Sequence, residues 1–502
     1  MGERASRPAT DSAGAARKMV EEGIRLRRRG LADEAARLYE AALVLAPDLP
    51  EAHYNLGIAR RAQGRLEEAA RCWGRAVALR PGFAEARNNL GSALLELGMA
   101  QEAIAHHRRV LVDNPRSLPA LVNLGNALRQ AGEAAQAEAS YRHAQAIAPD
   151  DATVLGNLGL ALQDLGRLDE AEAALRRAIA LKPDHAEAHR SLGMLLLLRG
   201  RFAEGWAEYD WRWHTPRQPR RDVGCPRWTG EDPGGRTVLL HAEQGLGDTI
   251  MACRLAAAVA RRGARVVLEV QPALVRLLRG LVGASQIVPR GSALPAADLE
   301  ASLLDVPRIL GLDAGSIPSA VPYLAAEPER VARWRGCIAA RPGFTVGLVW
   351  QGNPHSIADL GRSAPLAAFA PLAAVPGVRL IALQKGPGSE QVWNFPAIED
   401  LGGAFDAGPD AFLDTAAVMQ CLDLVVSVDT AAAHLAGALG RPVWIALKSV
   451  PDWRWLLDRA DTPWYPTARL FRQPSAGDWG AVVRAMAEAL HGETARRAPR
   501  SG

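Results

Sequence analysis

Ala52 to Pro81 reads AHYNLGIARRAQGRLEEAARCWGRAVALRP, and this stretch decides the fold of the first half of the chain. Two amphipathic segments flank Gly64, and Pro81 follows the second. Small residues at Gly57 and Ala69 let two helices approach closely, a glycine supplies the turn between them, and a proline ends the second. The pattern returns every 34 residues: Gly23, Gly57, Gly91, Gly125, Gly159 and Gly193 form one series. Gly30, Gly64, Gly98, Gly132, Gly166 and Gly200 form another, seven residues behind. Ala35, Ala69, Ala103, Ala137 and Ala171 hold a third position, and Pro47, Pro81, Pro115, Pro149 and Pro183 a fourth. So many positions in register exclude coincidence.

This period and pattern resemble the tetratricopeptide repeat over residues 16–219, which implies an α-solenoid of six helix pairs after a disordered tail, 1–15. The sixth block decays: Gly205 takes the alanine position, and Trp206, Tyr209, Trp211 and Trp213 crowd its second helix. A terminal repeat must cover the apolar end of the stack or dock onto something else. The aromatic cluster is therefore expected to be the joint to the next domain, with a carbohydrate-stacking platform as the alternative. Asparagine recurs at Asn55, Asn89, Asn123 and Asn157, always before Leu-Gly. Stacked amides at one position form a ladder suited to an extended peptide backbone, which makes these four the candidate acceptor-binding residues. The repeats of the O-linked N-acetylglucosamine transferase are similar in this respect. The alternative is that the amides bond neighbouring helices. His185 and His189 are spaced for one helix face, but Glu187 is not placed as in His-Glu-x-x-His, so two surface histidines are expected rather than a metal site.

Composition narrows the class. A length of 502 residues is enough for about three domains. The 59 basic and 55 acidic residues are too even to argue for a nucleic-acid partner. Five scattered cysteines, Cys72, Cys225, Cys253, Cys337 and Cys421, include no Cys-x-x-Cys pair, which fits a reducing compartment. The first residues lack the apolar stretch of a signal peptide, and no apolar run is long enough to span a membrane. A soluble cytoplasmic protein is expected.

Beyond a linker at 220–235 the pattern changes. Arg236–Ala242 is a β-run, Gln244–Asp248 a tight loop, Thr249–Arg262 a helix and Arg265–Val270 the next strand. A second series starts at Phe344 and continues through Val378–Leu383, Leu422–Val428, the helix Thr430–Leu439 and the strand Pro442–Leu447. Two doubly wound halves are expected, 236–340 and 341–490, with a cleft between them and a tail at 491–502.

Gly245-x-Gly247 opening a helix, with Glu269 ending the second strand, partly fits a dinucleotide enzyme, but Ile250 replaces the third glycine of that fingerprint. The stretch Gly245-Leu246-Gly247-Asp248-Thr249-Ile250 and the stretch Asp429-Thr430-Ala431-Ala432-Ala433-His434 together resemble the ADP-heptose:lipopolysaccharide heptosyltransferase family. That resemblance implies a GT-B fold of two facing Rossmann-like halves, about residues 236–490. It implies an inverting transfer from a nucleotide-diphosphate sugar, with Asp248 as the base that activates the acceptor hydroxyl. On the donor side it implies Gly247, Asp429, Thr430, Ala431 and His434, with Arg362 and Lys385 as counter-charges and Glu390 as the acid near the nucleotide. Arg362 stands where the family commonly has lysine, and Ala431 where it often has glycine. A strand end followed by a helix N-terminus suits a diphosphate, because backbone N–H groups face the negative charge. No Asp-x-Asp pair occurs in the chain, so a metal-independent reaction is expected, with no cofactor beyond the donor.

The alternative for Asp248 and Asp429 is a plain helix N-cap, though for both to be only caps while fitting both motifs is the lesser reading. Trp453, Trp455, Trp464, Tyr465 and Trp479 read as buried aromatics rather than catalytic groups. The reading reached is a repeat region that binds a protein or peptide acceptor, joined to a glycosyltransferase domain. A catalytically inactive scaffold is the first alternative, and an NAD-binding oxidoreductase the second.

Overall fold

The computed structural model describes residues 9–216, 220–354 and 359–497. The chain divides into two compact units, Met1–Asp184 and His185–Gly502. The first is a run of antiparallel helix pairs. They are α1 (Ala9–Arg28) with α2 (Ala32–Leu45), α3 (Pro50–Ala62) with α4 (Leu66–Leu79) and α5 (Ala84–Glu96) with α6 (Ala100–Asp113). Next come α7 (Leu118–Gln130) with α8 (Ala134–Ile147) and α9 (Ala152–Asp164) with α10 (Leu168–Leu181). Helix α1 begins well before the expected end of the tail at 15. Among the described residues no helix is long and apolar enough to cross a membrane.

The two glycine series have different physical roles. Gly30, Gly64, Gly98, Gly132 and Gly166 close the first helix of each pair at φ between 75° and 82°, where a side chain is strained. The other series sits inside the first helix and receives the side chain sixteen positions later. A Cβ on Gly57 would lie 2.6 Å from Trp73 Nε1, on Gly91 2.7 Å from the His107 ring, and on Gly125 2.5 Å from the Tyr141 ring. Rings thus lie against bare backbone in the first four pairs, and in the fifth Leu175 takes the same place against Gly159.

The second unit opens with the sixth helix pair, α11 (Ala186–Leu198) and α12 (Phe202–Tyr209), and the 3-10 turn Asp210–His214. The expectation that this aromatic block is a joint holds. Trp206 Nε1 donates to Leu312 O at 3.3 Å, and its ring meets Trp453 edge-on at 5.1 Å. Arg212, 2% exposed, bonds Glu243 at 2.8 and 2.9 Å and Asp305 at 2.5 Å, between the rings of Tyr209 and Trp213. Burial alone would raise the Asp305 carboxyl, but Arg212 outweighs it and holds the group below its ordinary range.

The α/β region has two parallel sheets of one design. The first has β1 (Thr237–His241), β2 (Arg265–Val270), β3 (Ala284–Pro289) and β4 (Leu299–Ser302), in the order β3-β2-β1-β4. The second has β5 (Phe344–Val349), β6 (Val378–Ala382), β7 (Ile398–Glu399), β8 (Leu424–Val428), β9 (Val443–Leu447) and β10 (Ala468–Arg472). Its order, β10-β9-β8-β5-β6-β7, repeats the first and adds two strands. Even the strand starts match: Asp298 accepts from Thr237 N at 2.7 Å, and Asp423 accepts from Thr345 N at 2.8 Å.

The connecting helices are α13 (Leu246–Ala252), α14 (Leu255–Arg261), α15 (Val306–Ile309), α16 (Pro328–Ala339), α17 (Ala370–Ala373), α18 (Leu413–Met419), α19 (Ala431–Ala438) and α20 (Trp479–Arg497). The single helix expected over Thr249–Arg262 is two, broken at Cys253–Arg254, and α20 runs into the expected tail. An α-solenoid followed by two Rossmann-like halves, consistent with the GT-B fold, is the architecture of this chain.

Candidate functional site

In each sheet the strand order reverses beside the first strand, between β1 and β4 and between β5 and β8. Ligands of open parallel sheets bind at the carboxyl ends of strands beside such a reversal, because the crossing helices diverge there. The loop Glu243–Gly245 follows β1 and leads into α13. Asp429 and Thr430 follow β8 and lead into α19. Both motifs singled out in the sequence therefore stand at switch points.

They also meet. A Cβ on Gly247 would lie 3.0 Å from His434 Cδ2 and 3.2 Å from Ala431 Cα. Glycine at 247 thus lets α13 press against the first turn of α19, so at this point the two halves are in contact. A cavity of about 210 Å³ lined by Arg276, Leu277, Glu327, Leu413 and Ala416 also joins the halves and shares no residue with this cluster.

Asp248 is not the cap of a helix starting at Thr249. The helix starts at Leu246, and Asp248 sits in its first turn, where Oδ2 accepts the Gly245 N–H at 2.9 Å. Its Oδ1 pairs with Arg454, a residue of the opposite half. Arg454, 6% exposed, also bonds Asp452 at 2.7 Å and lies 4.3 Å from the Trp453 ring centroid. Burial opposes the charge on this guanidinium, but Asp452 and Asp248 outweigh it and raise its pKa.

Asp429 is 7% exposed. Burial, then the charge of Asp452, pushes its carboxyl up to about 6 against the pull of Arg362 and Arg454. Thr430 precedes α19 without capping it. Its Oγ1 lies 3.0 Å from Ser427 Oγ, leaving the first N–H groups of α19 without a side-chain acceptor. His434 is buried, with Nδ1 3.0 Å from the Tyr465 hydroxyl and its ring stacked on Trp455 at 5.2 Å. Burial first, then Arg454, Arg254 and Arg362, holds its pKa well below the ordinary value, so the imidazole is neutral. Arg362 bears on both Asp429 and His434 and lies 3.4 Å from Asp359.

Other expected residues are used differently. Lys385 is exposed, and its Nζ donates to Phe405 O at 2.6 Å. Glu390 is in the 3-10 turn Ser389–Asn394 and is exposed. Glu269, the ribose acid of the dinucleotide alternative, is 1% exposed and paired with Arg221 at 2.5 Å. The four asparagines differ in their partners. Asn55 is 6% exposed and donates to Glu51 O in its own helix at 2.8 Å, and Asn89 reaches the Tyr54 hydroxyl. Asn123 donates to Asn88 Oδ1 at 3.3 Å and to Ser92 Oγ at 3.1 Å, and Asn157 is half-buried. Amides that stitch neighbouring helices, the alternative reading, account for Asn123. His189 is no surface histidine: it is 7% exposed, stacks on Trp211 at 4.1 Å and bonds Glu208.

Sequence reasoning missed Arg454 and Arg254. Arg254 bonds Pro318 O at 3.0 Å, Trp464 O at 2.7 Å and the Tyr323 hydroxyl at 2.7 Å, tying α13 to the segment beneath His434. With four lysines among 59 basic residues, an arginine carries no signal of its own in this chain. A cue did exist in Pro451-Asp452-Trp453-Arg454-Trp455, where a charge is enclosed by rings. The turn Trp453–Trp455 is followed by Leu456 at φ 55°, a conformation that costs a non-glycine residue about 1–3 kcal/mol and persists only where packing enforces it.

Comparison with known proteins agrees with this division. Tetratricopeptide-repeat profiles match residues 20–82, 54–117 and 116–184. The profile of glycosyltransferase family 9 (heptosyltransferase) matches residues 407–447, which contain Asp429, Thr430, Ala431 and His434. Protein FlbA of Caulobacter vibrioides is 30% identical over 315 residues, 57% of this chain and 52% of FlbA, so the match spans about half of that relative's length. Among solved structures, YrrB, a TPR protein with an unusual peptide-binding site, is 21% identical, with a TM-score of 0.32 over 37% of this chain and 97% of YrrB. A thermophilic TPR protein of Thermus thermophilus is 27% identical, with a TM-score of 0.31 over 36% of this chain and all of its own. A tetratricopeptide-repeat region and a segment of glycosyltransferase family 9 type thus share one chain.

Proposed function

We propose that this protein is a metal-independent, inverting glycosyltransferase that moves a sugar from a nucleotide-diphosphate donor to an acceptor bound by its repeats. One observation carries the reading: the Gly247-Asp248 turn and the Asp429–His434 turn, far apart in sequence, meet at adjoining switch points. A transferase needs a base and a leaving-group site on facing surfaces, and this pairing provides both.

The acceptor hydroxyl oxygen attacks the anomeric carbon of the donor and gives its proton to Asp248 Oδ1. The bond from that carbon to the terminal phosphate oxygen breaks, and the nucleoside diphosphate leaves with the electron pair. Developing negative charge is stabilised by the open N–H groups of α19 and by Arg362. Neutral His434 donates a hydrogen bond without adding charge, while Asp429 and Thr430 hold ribose hydroxyls. Lys385 and Glu390, both exposed, are the further groups assigned to the nucleotide. A protein or peptide acceptor fits the repeats, which ordinarily recruit polypeptides.

The test is release of nucleoside diphosphate from ADP-, UDP- and GDP-linked sugars by wild type and by Asp429→Ala. Release from one donor class, lost in the variant, supports the reading. Absence of release, with no nucleoside diphosphate bound, leaves a scaffold whose working part is the repeats.

A further inference from the structure

Arg454 is held by carboxylates on one side and lacks a partner on the other. Nη2 pairs with Asp248 and Nη1 with Asp452, yet Nε is buried without an acceptor, while the indole N–H of the next residue, Trp455, bears on the Asp429 carboxylate. A guanidinium N–H without an acceptor is unusual in a packed interior, where buried polar groups are nearly always satisfied. A guanidinium presents the same planar fork to a carboxylate and to a phosphate. The Asp248 carboxylate therefore occupies a face of Arg454 suited to a phosphate.

The two oxygens of Asp248 have separate holds. Oδ2 accepts the Gly245 N–H, whereas Oδ1 pairs with Arg454. Loss of the arginine would free Oδ1 while Oδ2 keeps the carboxylate in position.

We propose that Arg454 is a donor-operated latch, pairing with Asp248 until the diphosphate of the donor takes its guanidinium and releases Oδ1 to accept the acceptor's proton. This rests on the donor site proposed above and adds an order to it, with donor before productive acceptor. One anion replaces another on a single cation, and the displaced Asp248 carboxylate keeps the hydrogen bond from Gly245 N–H. Arg454 thereby acts through Asp248 as a positioning residue.

Calorimetric titration of ADP, UDP and GDP into wild type, Asp248→Asn and Arg454→Lys tests the latch. Asparagine keeps the shape of Asp248 and an oxygen for the Gly245 N–H but not the charge that competes with phosphate. The nucleotide that binds wild type should bind Asp248→Asn about tenfold tighter, since two ligands of one cation oppose each other reciprocally. Arg454→Lys, which keeps the charge and loses the fork, should bind it about tenfold more weakly. A merely structural arginine would give no tightening in Asp248→Asn. Wild-type binding with equal or weaker binding by Asp248→Asn overturns the latch and leaves the donor site standing. Binding by neither protein overturns both. Should Arg454→Lys fail to fold, the comparison of wild type with Asp248→Asn decides alone.

Discussion

Asp248 and Arg454, 206 positions apart in the chain, form an ion pair that joins the turn after β1 to the loop after β9. Arg454 is nearly inaccessible and is flanked by Asp452 and Trp453. Such a pair is costly to bury and strongly disruptive to break, so its presence at the junction of two switch points fits a functional role.

Asp248→Asn should lower the rate of sugar transfer by about 100- to 10,000-fold, the usual loss on removing a general base. The amide retains the helix-start hydrogen bond, but buried Arg454 loses one of its two carboxylates, so the thermal transition of the variant should fall while the chain still folds. Steady-state transfer kinetics check this, and near-normal turnover would reduce Asp248 to a structural group.

Asp429 and His434 should tilt stability with pH in opposite directions. The Asp429 carboxyl, raised to about 6 in the fold, binds its proton more tightly than in the unfolded chain, so stability falls as pH rises from about 4 to 6. His434, whose pKa is depressed, is neutral in the fold, so its contribution is complete above about pH 6.5 and is lost as pH falls below that. Urea unfolding at pH 5 and pH 7 should show Asp429→Asn gaining more at pH 7, by roughly 1 kcal/mol. His434→Gln should instead soften the loss on acidification.

Arg212→Met should destabilise the second unit by about 3–5 kcal/mol, because Glu243 and Asp305 would remain buried without their shared cation. Calorimetric unfolding of the full chain should show the transition of this unit moving down. An unchanged transition would mean that the joint does not depend on the ion pairs.

Two glycines should respond to alanine with opposite signs. Gly125→Ala places a Cβ 2.5 Å from the Tyr141 ring and should cost about 1–3 kcal/mol. Gly74, inside α4, has nothing within 4 Å of its Cβ position, so Gly74→Ala should stabilise by about 0.5–1 kcal/mol. Chemical denaturation monitored by helical circular dichroism reads both.

The repeats were legible because a 34-residue period repeats each constraint several times: Gly64 and Gly98 announce turns, and Gly57 and Gly125 announce ring contacts. The junction at Asp429 and Thr430 was legible as a strand end leading into a helix, because an apolar run is followed there by Asp-Thr and a run of small residues. Arg454 and Arg254 were not, since their roles come from tertiary partners in the other half, and arginine is used throughout this chain. The asparagine series was legible as a register and no further. The register of Asn55 and Asn123 is real, but periodicity cannot distinguish an amide turned outward from one that bonds Glu51 or Ser92.

The most direct test of the transferase reading is calorimetric titration of ADP, UDP and GDP into wild type and Asp429→Ala. Selective binding of one nucleoside diphosphate, weakened about tenfold or more in the variant, is the expected result and identifies the donor's base. Absence of binding by all three would contradict a nucleotide-sugar site at the N-terminus of α19.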